Sequence, residues 1–223
     1  MTKTIKKDLF YYLGELTIVV LGVFLAFQLN SWNEARKNKL EEQRIIKQLL
    51  QDLKNEKFVL TNFKNNIKKD NDHLVSIKYR SEYQNLDSII FYLNSIFVHY
   101  PLNAEYVNLK SSGKLSLITD KSLRHNIVTY YEMNYKIYEE METYSRKNYY
   151  DYIEPFISSE FLNDTTLLAD ERMVRNKLKD TEFGNLIVSQ IITYNALQKY
   201  IDIKRLTNII QIIEDKYNID NIR

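Results

Sequence analysis

One apolar segment near the start of the chain constrains the fold more than any other feature. Residues 9–29 read LFYYLGELTIVVLGVFLAFQL and contain a single carboxylate, that of Glu15. As an α-helix this segment would extend about 31 Å, which matches the thickness of one hydrocarbon core. Tyr12 and Trp32 would lie about 30 Å apart along it, a separation typical of aromatic anchors at the two membrane interfaces. The segment therefore predicts one transmembrane helix that serves as an uncleaved signal anchor.

Two other interpretations of this segment stay open. Its run without strongly polar groups, residues 16–27, is short, and a short apolar core after basic residues is also typical of a cleaved signal peptide. The cleavage pattern argues against cleavage, because Gln28 stands where a small residue is needed after Ala26. A buried or interfacial helix is the second alternative.

The charges on either side of the segment disagree about its orientation. Lysines precede it at positions 3, 6 and 7, and five basic residues follow it: Arg36, Lys37, Lys39, Arg44 and Lys47. The count slightly favours a cytoplasmic C-terminal side, because the positive-inside rule scores Lys and Arg rather than net charge. A short basic tail before a lone span is, however, the usual start of an anchor whose N-terminus stays in the cytoplasm. We expect that second orientation.

Composition limits what the rest of the chain can be. Basic and acidic residues nearly balance, at 31 and 29, which argues against a dedicated nucleic-acid-binding protein. The absence of cysteine excludes disulfide bonds and thiolate metal sites. Four glycines and two prolines in 223 residues are too few for the turns of all-β or glycine-rich phosphate-binding folds. The composition predicts an all-α fold.

A seam of 3-4 spacing follows the apolar segment. Its ten positions are Ile46, Leu49, Leu53, Glu56, Leu60, Phe63, Ile67, Asp70, Leu74 and Ile77. The seam predicts a helix that is continuous with the span over about 70 residues. This helix either folds against its own domain or forms a coiled-coil stalk, and the carboxylates at two seam positions weaken the stalk. The asparagine pairs near 65 and 71 are candidate break points.

Four segments follow from these patterns. They are a basic tail (1–8), a transmembrane signal-anchor helix (9–29), a juxtamembrane long helix or stalk (30–80) and a helical bundle domain (81–223). Within the bundle, helices are predicted at 86–97, 104–112, 121–150, 170–179 and 181–217. Gly113 is expected just after one helix end, and Thr119 or Asp120 as a helix cap. Pro155 and the polar residues 158–166 predict a loop.

Two blocks of residues resemble a known family. The first block lies in and just after the apolar segment and consists of Tyr11-x-x-Gly14-Glu15, Val19-Val20-x-Gly22 and Ala26-x-Gln28-x-Asn30-x-Trp32-Asn33-Glu34. The second block is Tyr106-x-Asn108-Leu109-Lys110-Ser111-Ser112-Gly113-Lys114-Leu115. Together they are similar to a family of small membrane proteins of unknown function that is widespread in bacteria of the Bacteroidetes group. The resemblance implies one span, a helical domain and the bacterial envelope. With the orientation favoured by the basic tail, we expect a single-pass inner-membrane protein whose N-terminus is cytoplasmic and whose helical domain is periplasmic. It implies no activity, cofactor or catalytic residue.

One face of the span is a candidate contact surface. Glu15, Gly22, Ala26 and Asn33 share this face, and Gly22-x-x-x-Ala26 is a small-xxx-small pair that permits close approach of a second helix. A carboxylate inside a span usually finds a protein or water partner. The alternative is that Glu15 is close enough to the start of the span to reach interfacial water.

Tyrosines and a glycine corner are two further candidates. One 3-4 stripe carries Tyr131, Tyr135, Tyr138, Tyr149 and Tyr152. Such a stripe is usually a core face with hydroxyls at a wet rim, and the alternative is a recognition surface. The corner Ser111-Ser112-Gly113 is either a helix stop or a partner-binding site.

Catalysis has little support in the sequence. The three histidines, at positions 73, 99 and 125, are isolated and have no zinc-binding spacing, and we expect no metal, cofactor or catalytic residue. Three functions stay open. The first is a membrane-anchored scaffold or interaction protein whose partners are the lipid bilayer and a second copy or another membrane protein. The others are an oligomeric pore or membrane-acting effector and an envelope sensory domain.

Overall fold

The computed structural model describes residues 2–80, 88–160, 176–177 and 179–217. Side chains are described from Leu13 onward, except those of Arg80 and Ser88. Every regular element in these ranges is helical, and no strand occurs in them. The predicted all-α class, with a long N-terminal apolar helix followed by further helices, is confirmed.

The first helix, α1, spans Thr2–Val75 and continues as a π-helical segment, Ser76–Arg80. The later elements are α2 (Ser88–Leu93), α3 (Ala104–Ser111), a 3₁₀ turn (Lys114–Leu117), α4 (Lys121–Thr129), a π-helical segment (Tyr130–Asn134), α5 (Tyr135–Asn148), a second such segment (Tyr149–Ile153), α6 (Glu154–Glu160), α7 (Thr181–Tyr200) and α8 (Ile203–Tyr217). We call residues 94–103, which join α2 to α3, the strap.

Helix α1 divides into an exposed and a buried part. Its 74 residues correspond to about 111 Å of helix. No described side chain before Glu42 is buried, whereas nine of the ten seam positions are buried and the tenth, Phe63, packs half-buried on the core. The protein's own helices occupy this stripe, which leaves no free seam for a coiled-coil partner. The asparagine pairs do not break α1. The division into four segments stays a prediction.

Hydrogen bonds to α1 show in which direction each later segment of the described chain runs relative to α1. The strap and α3 run back towards the N-terminal end of α1, since Ser95 bonds Asp70, His99 bonds Glu56 and Lys114 bonds Glu41. Helices α4 to α6 run parallel to α1, since Thr119 bonds Glu42 and Tyr135 bonds Glu56. Helices α7 and α8 return, since Asn195 bonds Asn71, Ile201 bonds Lys64 and Tyr217 bonds Glu42. The result is an up-down-up-down bundle.

Local signals near α3 and α4 are confirmed. Gly113 follows α3 in the left-handed region at φ 72°, where glycine has no Cβ penalty. Asp120 caps α4, because its carboxylate accepts from the backbone N–H groups of Ser122 and Leu123 at 2.8 and 3.0 Å. These two signals fix the corner that joins the helices.

The predicted loop at Pro155 is wrong over the described residues. Helix α6 contains Pro155 and continues to Glu160. Helix α5, the π-helical segment and α6 follow one another without a break, so Pro155 lies inside a continuous helical stretch, two residues after the end of its π-helical segment. Residues 161–166 and most of the predicted helix 170–179 lie outside the described residues.

Two other helix ends differ from the prediction. The helix predicted over 86–97 ends at Leu93, because carbonyls that would extend it are bound by a side chain of α7. The helix predicted over 181–217 breaks at Ile201, whose carbonyl accepts from Lys64 Nζ at 2.8 Å. Asp202 then accepts from the backbone N–H of Arg205 and starts α8.

Candidate functional site

The N-terminal part of α1 exposes apolar side chains on all sides. Its best 18-residue window has a mean hydropathy of 1.8 and none of it is buried, and α1 is the one helix in the described residues that is long and apolar enough to cross a membrane. The consecutive residues Ile18, Val19, Val20 and Leu21 are 72, 58, 57 and 53% exposed. Because a helix turns about 100° per residue, these four positions sample its whole circumference. The fold itself covers no face of this segment.

The predicted contact face lies on this exposed surface. Glu15, Gly22 and Ala26 are exposed, and Asn33 is partly buried. A Cβ added at Gly22 would meet nothing within 4 Å, so the chain's own packing does not require glycine there. Trp32 is 68% exposed, and the side chain of Tyr12 lies outside the described residues.

A buried carboxylate cluster lies at the centre of the bundle. Glu56 of α1 is 1% exposed and meets the strap and α5 together. Its Oε1 lies 3.2 Å from Nε2 of His99, and its Oε2 accepts a hydrogen bond from the hydroxyl of Tyr135. The His99 ring lies edge-on to Tyr135 and Tyr138, with centroids 4.7 and 5.0 Å away. Both oxygens of the buried Glu56 carboxylate thus have a partner, as burial of a carboxylate requires.

Buried tyrosine hydroxyls surround this cluster. That of Tyr130 lies near Glu56, and that of Tyr138 lies near Tyr130 and Asn134, close enough to affect the pKa of each tyrosine, although neither these two hydroxyls nor that of Tyr131 makes a well-aligned hydrogen bond with a described residue. Burial, with a smaller contribution from Glu56, raises the pKa of Tyr138 to about 12 and keeps that of Tyr130, Tyr131 and Tyr135 far above the usual range. The phenols therefore stay neutral at physiological pH.

The structure divides the predicted tyrosine stripe. Tyr131 and Tyr138 are buried, and Tyr135 and Tyr149 pack half-buried on the core. Tyr152 is 57% exposed, away from the cluster. A cleft of about 570 Å³ is lined in part by Tyr131, Tyr135 and His99. The stripe thus includes tyrosines of the core and tyrosines at the edge of the core.

Polar side chains of α5 and α7 bind the backbone of the strap and of the residue before it. Gln190 of α7 donates to the carbonyls of Leu93 and Ser95, each at 3.1 Å. The backbone N–H groups of the strap donate to α5, from Phe97 to Ser145 Oγ and from His99 to Glu142, both at 3.0 Å. The strap has no ladder or helix to satisfy its backbone, so these side chains take that role.

A second buried carboxylate ties the bundle to α1 at the end nearer the apolar segment. Glu42 accepts from the backbone N–H of Thr119 at 2.8 Å and from the hydroxyl of Tyr217 at 3.0 Å. Beside it, hydrogen bonds from Arg44 and Lys114 lower the pKa of Glu41 to about 2. The start of α4 and the end of α8 are thereby both fixed to the same turn of α1.

The serine corner is used by the end of its own helix. The hydroxyls of Ser111 and Ser112 donate to the carbonyl of Asn108 at 3.0 and 2.8 Å. These two side chains and Gly113 are exposed. The hydrogen bonds account for the serines as part of a helix stop.

Sequence reasoning missed the polar residues that organise the bundle. It treated Glu56 and Asp70 as interruptions of an apolar seam and His99 as an isolated histidine. Carboxylates that recur on an otherwise apolar stripe are the available signal, because such groups are buried only with partners. The described residues contain no group of three metal-ligating side chains.

The fold and the exposed segment define a class: a helical protein with one apolar helix that is compatible with a single-pass membrane anchor. Within that class, the chain belongs to a family of unknown function, DUF6090, whose pattern matches residues 15–196. A search of curated proteins and a search of solved structures each found no match.

Proposed function

We propose that this protein is a membrane-anchored helical scaffold or interaction protein without enzymatic activity. One observation carries the proposal. Residues 13–29 of α1 expose apolar side chains around the whole helix, whereas the same helix from Glu42 onward is packed in a bundle. A helix that is apolar all round requires burial in protein or in lipid, and the bundle does not cover this one.

The free energy at stake favours lipid strongly. Eleven large apolar side chains in this segment are about half exposed or more: Leu13, Leu16, Ile18, Val19, Val20, Leu21, Val23, Phe24, Leu25, Phe27 and Leu29. At about 1.5–3 kcal/mol for each full burial, their transfer from water is worth on the order of 15 kcal/mol or more. The hydroxyl of Thr17 bonds the carbonyl of Leu13 at 2.7 Å and adds little to the cost of insertion.

Membrane extraction tests the anchor. The full chain should stay with the membrane pellet at alkaline pH and be released by detergent. Lysine in place of Val20, Phe24 and Phe27 costs about 8–10 kcal/mol and removes the burial of three apolar side chains, so this triple variant should shift chain to the soluble fraction. Lysine in place of Leu40, Phe58 and Val59 is the matched control, since these three side chains are exposed on α1 beyond the span. Alkaline release of the unchanged chain would refute the anchor.

We place the anchor in a bacterial inner membrane, with the N-terminus in the cytoplasm and the bundle in the periplasm. The short basic tail before a lone span supports this orientation, and the family resemblance supports the bacterial envelope. The chain has no cysteine, so single thiols report cleanly. A cysteine at exposed Asn65 should react with an impermeant reagent in intact spheroplasts, and one at Thr2 should react only after lysis. The reverse pattern would overturn the orientation.

The span also provides a surface for a partner helix, which is either a second copy or another membrane protein. Gly22→Leu tests this surface cleanly, because a Cβ at Gly22 meets nothing in the chain itself. The substitution should abolish crosslinking between spans while leaving the bundle intact. Val20→Leu, on the opposite side of the helix, should not. Equal crosslinking in both variants would refute the contact face, and ion flux through reconstituted liposomes would favour a pore instead.

A further inference from the structure

The end of the bundle nearer the span carries a cationic cleft. Its volume is about 490 Å³, and it is lined by Leu115, Ser116, Lys121, Arg124, His125 and Val128. No carboxylate lines it. From this cleft we infer that the bundle docks on anionic phospholipid headgroups of the bilayer that holds the anchor, an inference that rests on the proposed membrane anchor.

The charges of the cleft are not neutralised by neighbours. Arg124 is held in place by backbone carbonyls, those of Ser116 at 3.4 Å and Ile118 at 3.2 Å. Among the described residues, neither Arg124 nor the exposed Lys121 has an ion-pair partner. The nearby carboxylates are already taken, since Glu41 pairs with Arg44 and Lys114 and Asp120 pairs with Lys216. A guanidinium that is held in place and has no ion-pair partner favours the binding of a phosphate group.

Contacts with α1 place the cleft at the membrane side of the bundle. Helix α4 begins two residues after Thr119, which bonds Glu42. Glu42 lies ten residues beyond Trp32, which is about 15 Å of helix. The headgroup layer extends about 5–8 Å beyond the hydrocarbon, and electrostatic attraction persists over about 10 Å. The guanidinium of Arg124 reaches back to the carbonyls of Ser116 and Ile118 and so stays near the level of Glu42, within the range of electrostatic attraction from the headgroup layer.

Exposed basic residues of α1 fill the interval between the bilayer and the cleft. Arg36, Lys37 and Lys39 are all exposed on the turns between Trp32 and the first buried turn. They add positive charge to the end of the protein that carries the cleft. Such juxtamembrane clusters bind anionic lipid electrostatically.

Quenching of a fluorophore by lipid headgroups tests the inference. The full chain carrying a labelled Ser116→Cys is reconstituted in phosphatidylcholine bilayers, with or without phosphatidylglycerol, that contain a headgroup-nitroxide lipid. Phosphatidylglycerol should increase quenching. Lys121→Gln with Arg124→Gln should lower the docked fraction about threefold in its presence. Lys68→Gln with Lys69→Gln, an equal change of charge at exposed residues of the distal part of α1, should not.

Two further arms keep the outcomes distinct. Arg124→Lys retains the charge but not the fixed guanidinium, so it should keep more of the phosphatidylglycerol-dependent quenching than Lys121→Gln with Arg124→Gln does, which separates charge from folding. Inorganic phosphate should compete poorly, and full displacement by it would show an anion site rather than a lipid-docking surface. Quenching that is independent of phosphatidylglycerol in a chain that still resists alkaline extraction would overturn this inference alone. Loss of that resistance would overturn the anchor.

Discussion

Replacing Glu56 by alanine is the sharpest test of how the bundle is held together. The carboxylate is buried on α1 and bonds both His99 of the strap and Tyr135 of α5. Its removal leaves an imidazole nitrogen and a phenol hydroxyl buried without their partner. It also opens a cavity at a point where three segments meet.

The magnitude follows from the two groups left behind. An unsatisfied buried polar group costs about 1–3 kcal/mol, so two such groups cost about 2–6 kcal/mol together. We therefore expect Glu56→Ala to lower the free energy of unfolding by about 3–5 kcal/mol, the middle of that range. Glu56→Gln keeps the shape and an acceptor oxygen, and it should cost about 1–2 kcal/mol.

The assay is urea unfolding of the full chain in detergent micelles, followed by near-ultraviolet circular dichroism. This signal reports the packed tyrosines rather than the helix of the span. Asn55→Ala, at the exposed neighbouring position, is the matched control and should change the free energy by less than about 0.5 kcal/mol. Equal stability of Glu56→Ala and the control would refute the claim that this carboxylate joins the strap and α5 to α1.

Three other predictions concern the core, a cap and the phenols. Leu53→Ala should cost about 2–5 kcal/mol because Leu53 is fully buried, whereas Phe58→Ala should cost little, both by urea unfolding. Asp120→Ala should cost about 1 kcal/mol and Asp120→Asn less, since Asn keeps the cap. Folding raises the pKa of Tyr138 to about 12, compared with about 10 in the unfolded chain. The neutral phenol therefore contributes fully to the free energy of unfolding below about pH 10, and this contribution is lost as the pH approaches about 12. Phenolate absorbance should then rise together with unfolding.

Periodicity in the sequence predicted the long helix and its buried face correctly. The seam from Ile46 to Ile77 needed no tertiary information, because 3-4 spacing alone identifies the face of a helix that meets a core. Gly113 and Asp120 were equally readable, since a left-handed residue and a helix cap are local requirements.

Long-range contacts account for the errors. Helix α2 stops at Leu93 because Gln190, almost a hundred residues away, binds the carbonyls that follow. The break at Ile201 depends on Lys64, and the partners of Glu56 come from two other segments. No local pattern contains these pairings. The function of the exposed segment likewise depends on something outside the chain. Its apolar composition predicts a bilayer around it, but the bilayer is not part of the folded chain.

Thiol accessibility at two phenylalanines of α1 tests the central claim most directly. Phe24 is 55% exposed and Phe58 is 68% exposed, so a water-soluble chain would present both to solvent. In membranes containing the full chain, Phe58→Cys should react rapidly with a hydrophilic maleimide, and Phe24→Cys should react only after the bilayer is dissolved and the chain denatured. Equal, rapid reaction at both positions in intact membranes would contradict a membrane-spanning α1.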